Sequence, residues 1–307
     1  MVVNKKINWK KHYYRFGISR KKYYIIRRSA SGTGLFSLVN THLGHIEYAV
    51  KHSYIPVIDM QNYENCYLEP ENIGKINAWE RLFENPADVD IEDAYAGKCV
   101  LLSSGDPTES RPDDDIAFFN NEGGKLDYWR ELAHKYIRIN SSIRNEIDIE
   151  YNKLVTKEDR VLGVLVRGTD YVDRKPYEHP VQPDINDVIE KSHLWMDQYA
   201  CNKIFLATED KEIAEKFRKE FGDAYITNER QYVEYESGLS TPEIKIDREN
   251  DCFLKGKEYL TTIEMLSRSN VFIGGRTSGT VGAFLLSNGF EHSYVYAIGR
   301  YGVDWDR

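Results

Sequence analysis

A chain of 307 residues, 41% hydrophobic and 29% charged, has enough apolar material for two globular cores and too much for a disordered polypeptide. No run approaches the roughly eighteen consecutive apolar residues of a membrane span, and Met1 to Lys11 contain no apolar signal-peptide core. The cysteines Cys66, Cys99, Cys201 and Cys252 are far apart with no C-x-x-C pair, which argues against a zinc site or disulfide scaffold and fits a reducing cytosol.

The net charge of −8 is unevenly spread. Residues 1–28 hold Lys5, Lys6, Lys10, Lys11, Arg15, Arg20, Lys21, Lys22, Arg27 and Arg28 and no acid, interleaved with Trp9, Tyr13, Tyr14, Phe16, Tyr23 and Tyr24. The plain reading is a solvated leading segment. The functional one is peripheral contact with an anionic lipid surface, at the inner face of a membrane, or with an acidic acceptor. The acidic remainder would repel nucleic acid, so no nucleic-acid partner is expected.

In chain order, Tyr23 to Ile26 read as a strand, followed by a turn with Gly32 and Gly34. A helix runs from Leu35 to His52, its apolar residues at helical spacing, and a strand from Ile55 to Met60. This is a βαβ unit, but the G-x-G lacks the third glycine of a dinucleotide fingerprint. Trp79 and Phe83 share a helix face, Val100 to Leu102 form a strand, and a polar loop follows. Its run Asp113-Asp114-Asp115 is a solvated stretch in preference to a metal site. A helix is expected over Leu126 to Asp148.

The second half alternates strand and helix, which implies a parallel sheet. The strand Val161 to Val166 runs directly into Arg167, Gly168, Thr169 and Asp170. Asp184 caps a helix to Tyr199, and Lys203 to Ala207 is a strand. Thr208, Glu209 and Asp210 then open a helix over Lys211 to Phe221. A short strand at Ala224 to Ile226 precedes a polar loop, Asn228 to Asp251. A helix from Gly256 to Arg268, the strand Val271 to Gly275, a helix from Val281 to Ser287 and a last strand, Tyr294 to Ile298, complete the chain. The α/β fold is read as two Rossmann-like domains, 1–150 and 151–307, with parallel sheets facing a cleft.

Three strand ends in the second half carry residues suited to anions: Arg167 to Asp170, Thr208 to Asp210, and Arg276, Thr277, Ser278, Gly279 and Thr280. The last precedes a helix, whose N-terminal N–H groups bind anions; the plain reading is ordinary N-capping by Ser278 or Thr277, which does not account for Gly274, Gly275 and the arginine beside them. If these strands are neighbours, Arg167 and the turn at 276–280 grip a diphosphate, and Glu209 or Asp210 reaches hydroxyls or base N–H groups. The plain reading of Arg167 is a surface pair with Asp170.

These residues resemble the donor-half motifs of the inverting GT-B fucosyltransferases. Leu165 to Tyr171 is similar to H-V-R-R-T-D-K, Ala207 to Asp210 to A-T-D-D, and Ser267 to Thr280 to S-Q-A-D-F-L-V-x-T-F-S-S-Q-V. The resemblance covers about residues 160–290. It implies a GT-B-like fold with an N-terminal acceptor domain and a C-terminal donor domain, and Arg167 on the donor β-phosphate. It also places Thr277 and Ser278 near the diphosphate. Leu165 stands where the motif has histidine, and Gly168 where it has a second arginine; Arg276 is the candidate to replace that charge.

The implied activity is metal-independent transfer of fucose from GDP-fucose, with no cofactor, to a saccharide such as a growing surface polysaccharide. Arg167 stabilises the departing diphosphate. Asp170 is a candidate base, as are Asp173, Glu178 and Glu264, whereas His179 reads as a loop residue. The alternatives are a GT-B transferase with another nucleotide sugar, and a non-catalytic nucleotide- or glycan-binding protein of the same fold.

Overall fold

The apolar runs become strands buried on both faces, as parallel sheets covered by helices require. The computed structural model describes residues 14–15, 20–28, 30–168, 175–232 and 241–303. In the first half, β1 (Tyr14–Arg15), β2 (Tyr23–Ile26), β3 (Ile55–Ile58) and β4 (Val100–Leu102) lie in the order β1-β4-β2-β3. β2 is parallel to both β3 and β4, and β1 is antiparallel to β4. In the second half, β5 (Val161–Leu165), β6 (Lys203–Ala207), β7 (Tyr225–Ile226), β8 (Val271–Gly275) and β9 (His292–Tyr296) are all parallel. Their order is β7-β6-β5-β8-β9. Apart from the antiparallel edge strand β1, both sheets are parallel and have the two-Rossmann arrangement expected of the sequence.

The register decides which strand ends meet. Leu165 lies beside Ala207 on one side and Gly274 on the other. The segments that follow β5, β6 and β8 therefore leave the sheet side by side. The strand order changes direction between β5 and β8, and the carboxyl ends of strands at such a switch point form a ligand crevice. The first sheet has its own switch point between β2 and β4.

The helices are α1 (Leu35–Lys51), α2 (Ala78–Leu82), α3 (Ile91–Ala96), α4 (Ile116–Phe119), α5 (Lys125–Tyr136), α6 (Ser141–Leu154), α7 (Ile185–Gln198), α8 (Lys211–Phe221), α9 (Asp251–Ser267) and α10 (Ser278–Leu286). Asp184 caps α7 by accepting from the Asn186 amide. The helix expected over 126–148 is two helices. The Asn140 side chain accepts from the Ser142 amide to start α6, and the Asn140 amide donates to Leu82 O. Ile139 also bridges to Phe83 as a strand-like pair. α9 begins ahead of Gly256, because that glycine sits inside the helix, against α2. A Cβ there would lie 2.9 Å from Tyr67 Cδ1 and 3.0 Å from Leu82 Cδ1. β9 starts at His292, fixed by its pairing with Val271. Among the described residues no helix is long and apolar enough to cross a membrane.

α1 packs on its own sheet and against α5 and α10, while α9 packs on α2 and α6. One apolar cluster contains Ile26, Phe36, Trp79, Phe205, Phe272 and Phe284, and so crosses both sheets. This shared core fixes the back of the cleft between them.

α1 also buries His42 with neither ring nitrogen hydrogen-bonded among the described residues, its ring edge-on to Trp79 at 5.2 Å. Burial, assisted by nearby His45 and Arg28, holds its pKa at about 3, below the ordinary 6.5. The unfolded chain takes up a proton below about pH 6.5 that the folded chain refuses until about pH 3. His42 should therefore remove up to about 1.4 kcal/mol of stability per pH unit over that window as pH falls. In urea unfolding at about pH 6, 5 and 4, His42→Leu is expected to flatten this decline; an unchanged slope contradicts the assignment.

Candidate active site

A cavity of about 460 Å³ lies between the halves at the switch point of the second sheet. Arg167, Thr208, Glu209, Thr277, Ser278 and Gly279 line it from the second half; Arg28, Gly32, Thr33, Gly34, Ser37 and Tyr67 line it from the first. Three separate strand ends and the glycine turn therefore converge as the sequence pattern implies.

Arg167 follows the buried β5 and is itself largely shielded. Its Nε lies 3.1 Å from Glu209 Oε1. The same carboxylate oxygen accepts from the Gly168 amide at 2.9 Å. Glu209, on the neighbouring strand end, thus fixes the position of Arg167. Thr169, Asp170 and Asp173 lie outside the described residues.

Asp210 works behind the cavity wall. It caps α8, accepting from the Glu212 and Ile213 amides at 2.9 and 3.1 Å. It also explains the glycine where the resembling motif has arginine. A Cβ at residue 168 would lie 2.3 Å from Asp210 Oδ2 and 2.8 Å from Asp210 Cβ. Gly168→Ala is expected to cost about 1–3 kcal/mol in chemical denaturation. Combining it with Asp210→Gly should recover part of that cost, since the two sites share one volume. Simple additivity would show that the contact does not set the residue.

At the third strand end, Thr277 caps α10: its hydroxyl oxygen accepts from the Thr280 amide at 3.1 Å. Thr280 is fully buried and donates its own hydroxyl to Gly275 O at 2.5 Å. The anion-binding amides expected at 277–280 therefore narrow to those of Ser278 and Gly279, at the positive end of the helix.

Three expected site residues, Arg276, Glu264 and Glu178, do not line the cavity. Arg276 Nε donates to Asp114 O at 2.5 Å, and Asp114 Oδ1 is shared with Arg300 at 2.7 Å. It ties the first half's acidic loop to the second half. In the same run Asp115 caps α4, and Asp113 accepts from the Asp115 amide. Among the described residues no group of His, Cys, Asp and Glu is placed to hold a metal ion. Glu264 is buried on α9 between Arg144 and Arg268, and lines a different depression with Arg138 and Glu291. It is a structural ion pair. Glu264→Gln is expected to lower stability by about 1–3 kcal/mol while leaving nucleotide diphosphate affinity unchanged. A variant that melts like the wild type but loses that affinity would restore Glu264 to the site. Glu178, exposed with φ 63°, is likewise not on the cavity wall.

Several further residues that line the cavity were not among those expected from the sequence. Arg230 donates to Thr208 O at 2.8 Å. Lys255 holds the turn at 242–244, donating to Pro242 O and Ile244 O, and pairs with Asp251 at 3.1 Å. Glu258 is paired with Arg248 at 2.5 Å. His179, read as a loop residue, is exposed in a loop and lines the cavity. Arg28 had a readable signal, its place just beyond the carboxyl end of β2; Arg230 and Lys255 belong to a loop and a helix with no such marker.

Neither protein-family models nor curated protein sequences match the chain. Solved structures do. A NodZ α1,6-fucosyltransferase soaked with GDP-fucose is 18% identical, with 87% of this chain and 93% of that chain covered and a TM-score of 0.50. The selenomethionine form of fucosyltransferase NodZ from Bradyrhizobium is 17% identical over 87% and 93%, also at 0.50. POFUT1 in complex with GDP is 13% identical over 90% and 99%, at 0.54. The chain thus has the GT-B fold of these fucosyltransferases, as the motif resemblance implied.

Proposed function

We propose that the chain is a glycosyltransferase that transfers fucose from GDP-fucose to a saccharide acceptor, inverting the anomeric centre and needing no metal. One observation carries the reading. Arg167, fixed by Glu209, and the start of α10 converge at the β5–β8 switch point, in a cavity whose opposite wall belongs to the other half. A guanidinium facing helix amides suits a diphosphate, and cleavage of a sugar–phosphate bond builds negative charge on that group. One of the solved structures of like fold was soaked with GDP-fucose and another is in complex with GDP, which supports this donor.

In this reading residues 151–307 hold the donor and residues 1–150 the acceptor. Arg167, Ser278 and Gly279 receive the diphosphate, Thr208 lines the nucleotide side, and Glu209 positions Arg167. Asp170 takes the acceptor proton. Gly168, Asp210 and Thr280 support the wall, and Arg276 couples the halves.

The test is release of GDP from GDP-fucose in the presence of an acceptor panel, with other nucleotide sugars in parallel. Fucosylated product with an inverted linkage is the expected outcome. Turnover of a different nucleotide sugar would replace the donor. GDP binding without turnover of any nucleotide sugar would leave a binding protein.

A further inference from the structure

Arg28 is the cation that the first half brings to the cleft. β2 ends at Ile26, and the residues after it stand where the first sheet switches direction between β2 and β4. Arg27 is fastened there: its amide donates to Ser103 Oγ at 2.9 Å, and its carbonyl accepts from the same hydroxyl at 3.1 Å. The Arg28 side chain instead lines the cavity with Thr33 and Ser37.

Its Nε is buried and has no hydrogen-bond acceptor among the described residues. Arg230 leaves its Nε without an acceptor among the described residues too, but the other arginines and the lysine lining the cavity each hold a partner within the protein: Arg167 pairs with Glu209, Arg230 donates through Nη1 to Thr208 O, and Lys255 is held by Asp251 and two carbonyls. Burial is the largest influence on Arg28 and lowers its pKa; Asp106 opposes that shift and Arg111 adds to it. The guanidinium remains charged, so a buried N–H without an acceptor favours an incoming oxyanion.

We propose that Arg28 binds an acidic group of the acceptor saccharide, a carboxylate or a phosphate ester, and so makes the enzyme selective for acidic glycans. The proposal rests on the transferase reading above. The donor diphosphate has its counter-charge on the second half, in Arg167 and the start of α10. Arg28 stands on the opposite wall beside the glycine turn, where the acceptor enters. Its planar fork can hold both oxygens of one acidic group.

The experiment uses the full chain, GDP titration, and GDP-fucose turnover on paired oligosaccharides. The pairs are uronic-acid glycans against their carboxyl-reduced forms, and phosphorylated glycans against their dephosphorylated forms. For at least one pair the wild type is expected to favour the acidic member by about tenfold or more. Arg28→Gln should bring that ratio close to one with GDP affinity unchanged, and Arg28→Lys should retain part of it; thermal melts check that both variants fold. Equal use of acidic and neutral acceptors by the wild type would overturn the proposal. So would a tenfold loss of GDP affinity in Arg28→Gln, which would make Arg28 a diphosphate ligand. A wild type that neither binds GDP nor turns over any nucleotide sugar would overturn the transferase reading itself, and the proposal with it.

Discussion

Arg167→Ala is expected to weaken GDP binding by about a hundredfold or more, the loss of a charge-assisted contact worth roughly 3 kcal/mol. Two effects act together. The diphosphate loses its guanidinium, and Glu209 is left near the anion with no counter-charge from Arg167, still accepting from the Gly168 amide. The second effect also reaches the fold, because removing one partner from a buried ion pair typically costs about 3–5 kcal/mol. The pair is buried but borders the cleft, so the lower end applies here.

A double variant separates the two. Arg167→Ala with Glu209→Gln should recover most of the lost stability and little of the GDP affinity. Arg167→Lys should fall between, keeping the charge but losing the fork. Titration calorimetry and denaturation read the two quantities independently. Unchanged GDP affinity in Arg167→Ala would remove this residue from the donor site.

Asp170→Asn should act on turnover instead of binding. General-base catalysis contributes about 10²–10⁴-fold, so kcat should fall by that order while GDP affinity stays within about twofold. The grounds are its place close after Arg167 in sequence and the state of its rivals. Among the described residues the cavity's carboxylates are Glu209 and Glu258, and each is engaged by an arginine. Glu264 is held outside the cavity by Arg144 and Arg268. A base must be ionised to accept a proton, so wild-type kcat should fall as pH drops through its pKa. The Asn variant should lose that limb of the profile. Full turnover in Asp170→Asn would pass the role to another carboxylate, with Glu258→Gln the next variant to measure.

The parts of the site that were legible are those written along single strands. A strand buried on both faces shows as an unbroken apolar run, and the residue at which the run stops is the one delivered to the sheet edge. Val161 to Arg167 and Val271 to Thr277 both read this way. The alternation of such runs with helices then implied the parallel sheet, though not which strands would be neighbours.

What was illegible depended on partners distant in the chain. Arg276 looks like a phosphate ligand until Asp114 arrives from the other half. Glu264 looks like a base until Arg144 covers it. Gly168 reads as a gap in a motif, whereas Asp210 fills the volume from the next strand end. Arg28 was counted in a basic leading segment, and a charge tally does not distinguish a solvated lysine from an arginine two residues beyond a strand. The division of the helix at 137–140 had a local signal in Asn140-Ser141-Ser142, but Ile137 and Ile143 continue the helical spacing across it.

The most direct test of the central claim is a crystal structure of the chain with GDP bound. The diphosphate is expected between the Arg167 guanidinium and the amides of Ser278 and Gly279, with Glu209 still on Arg167. Diphosphate density away from the β5–β8 switch point would contradict it.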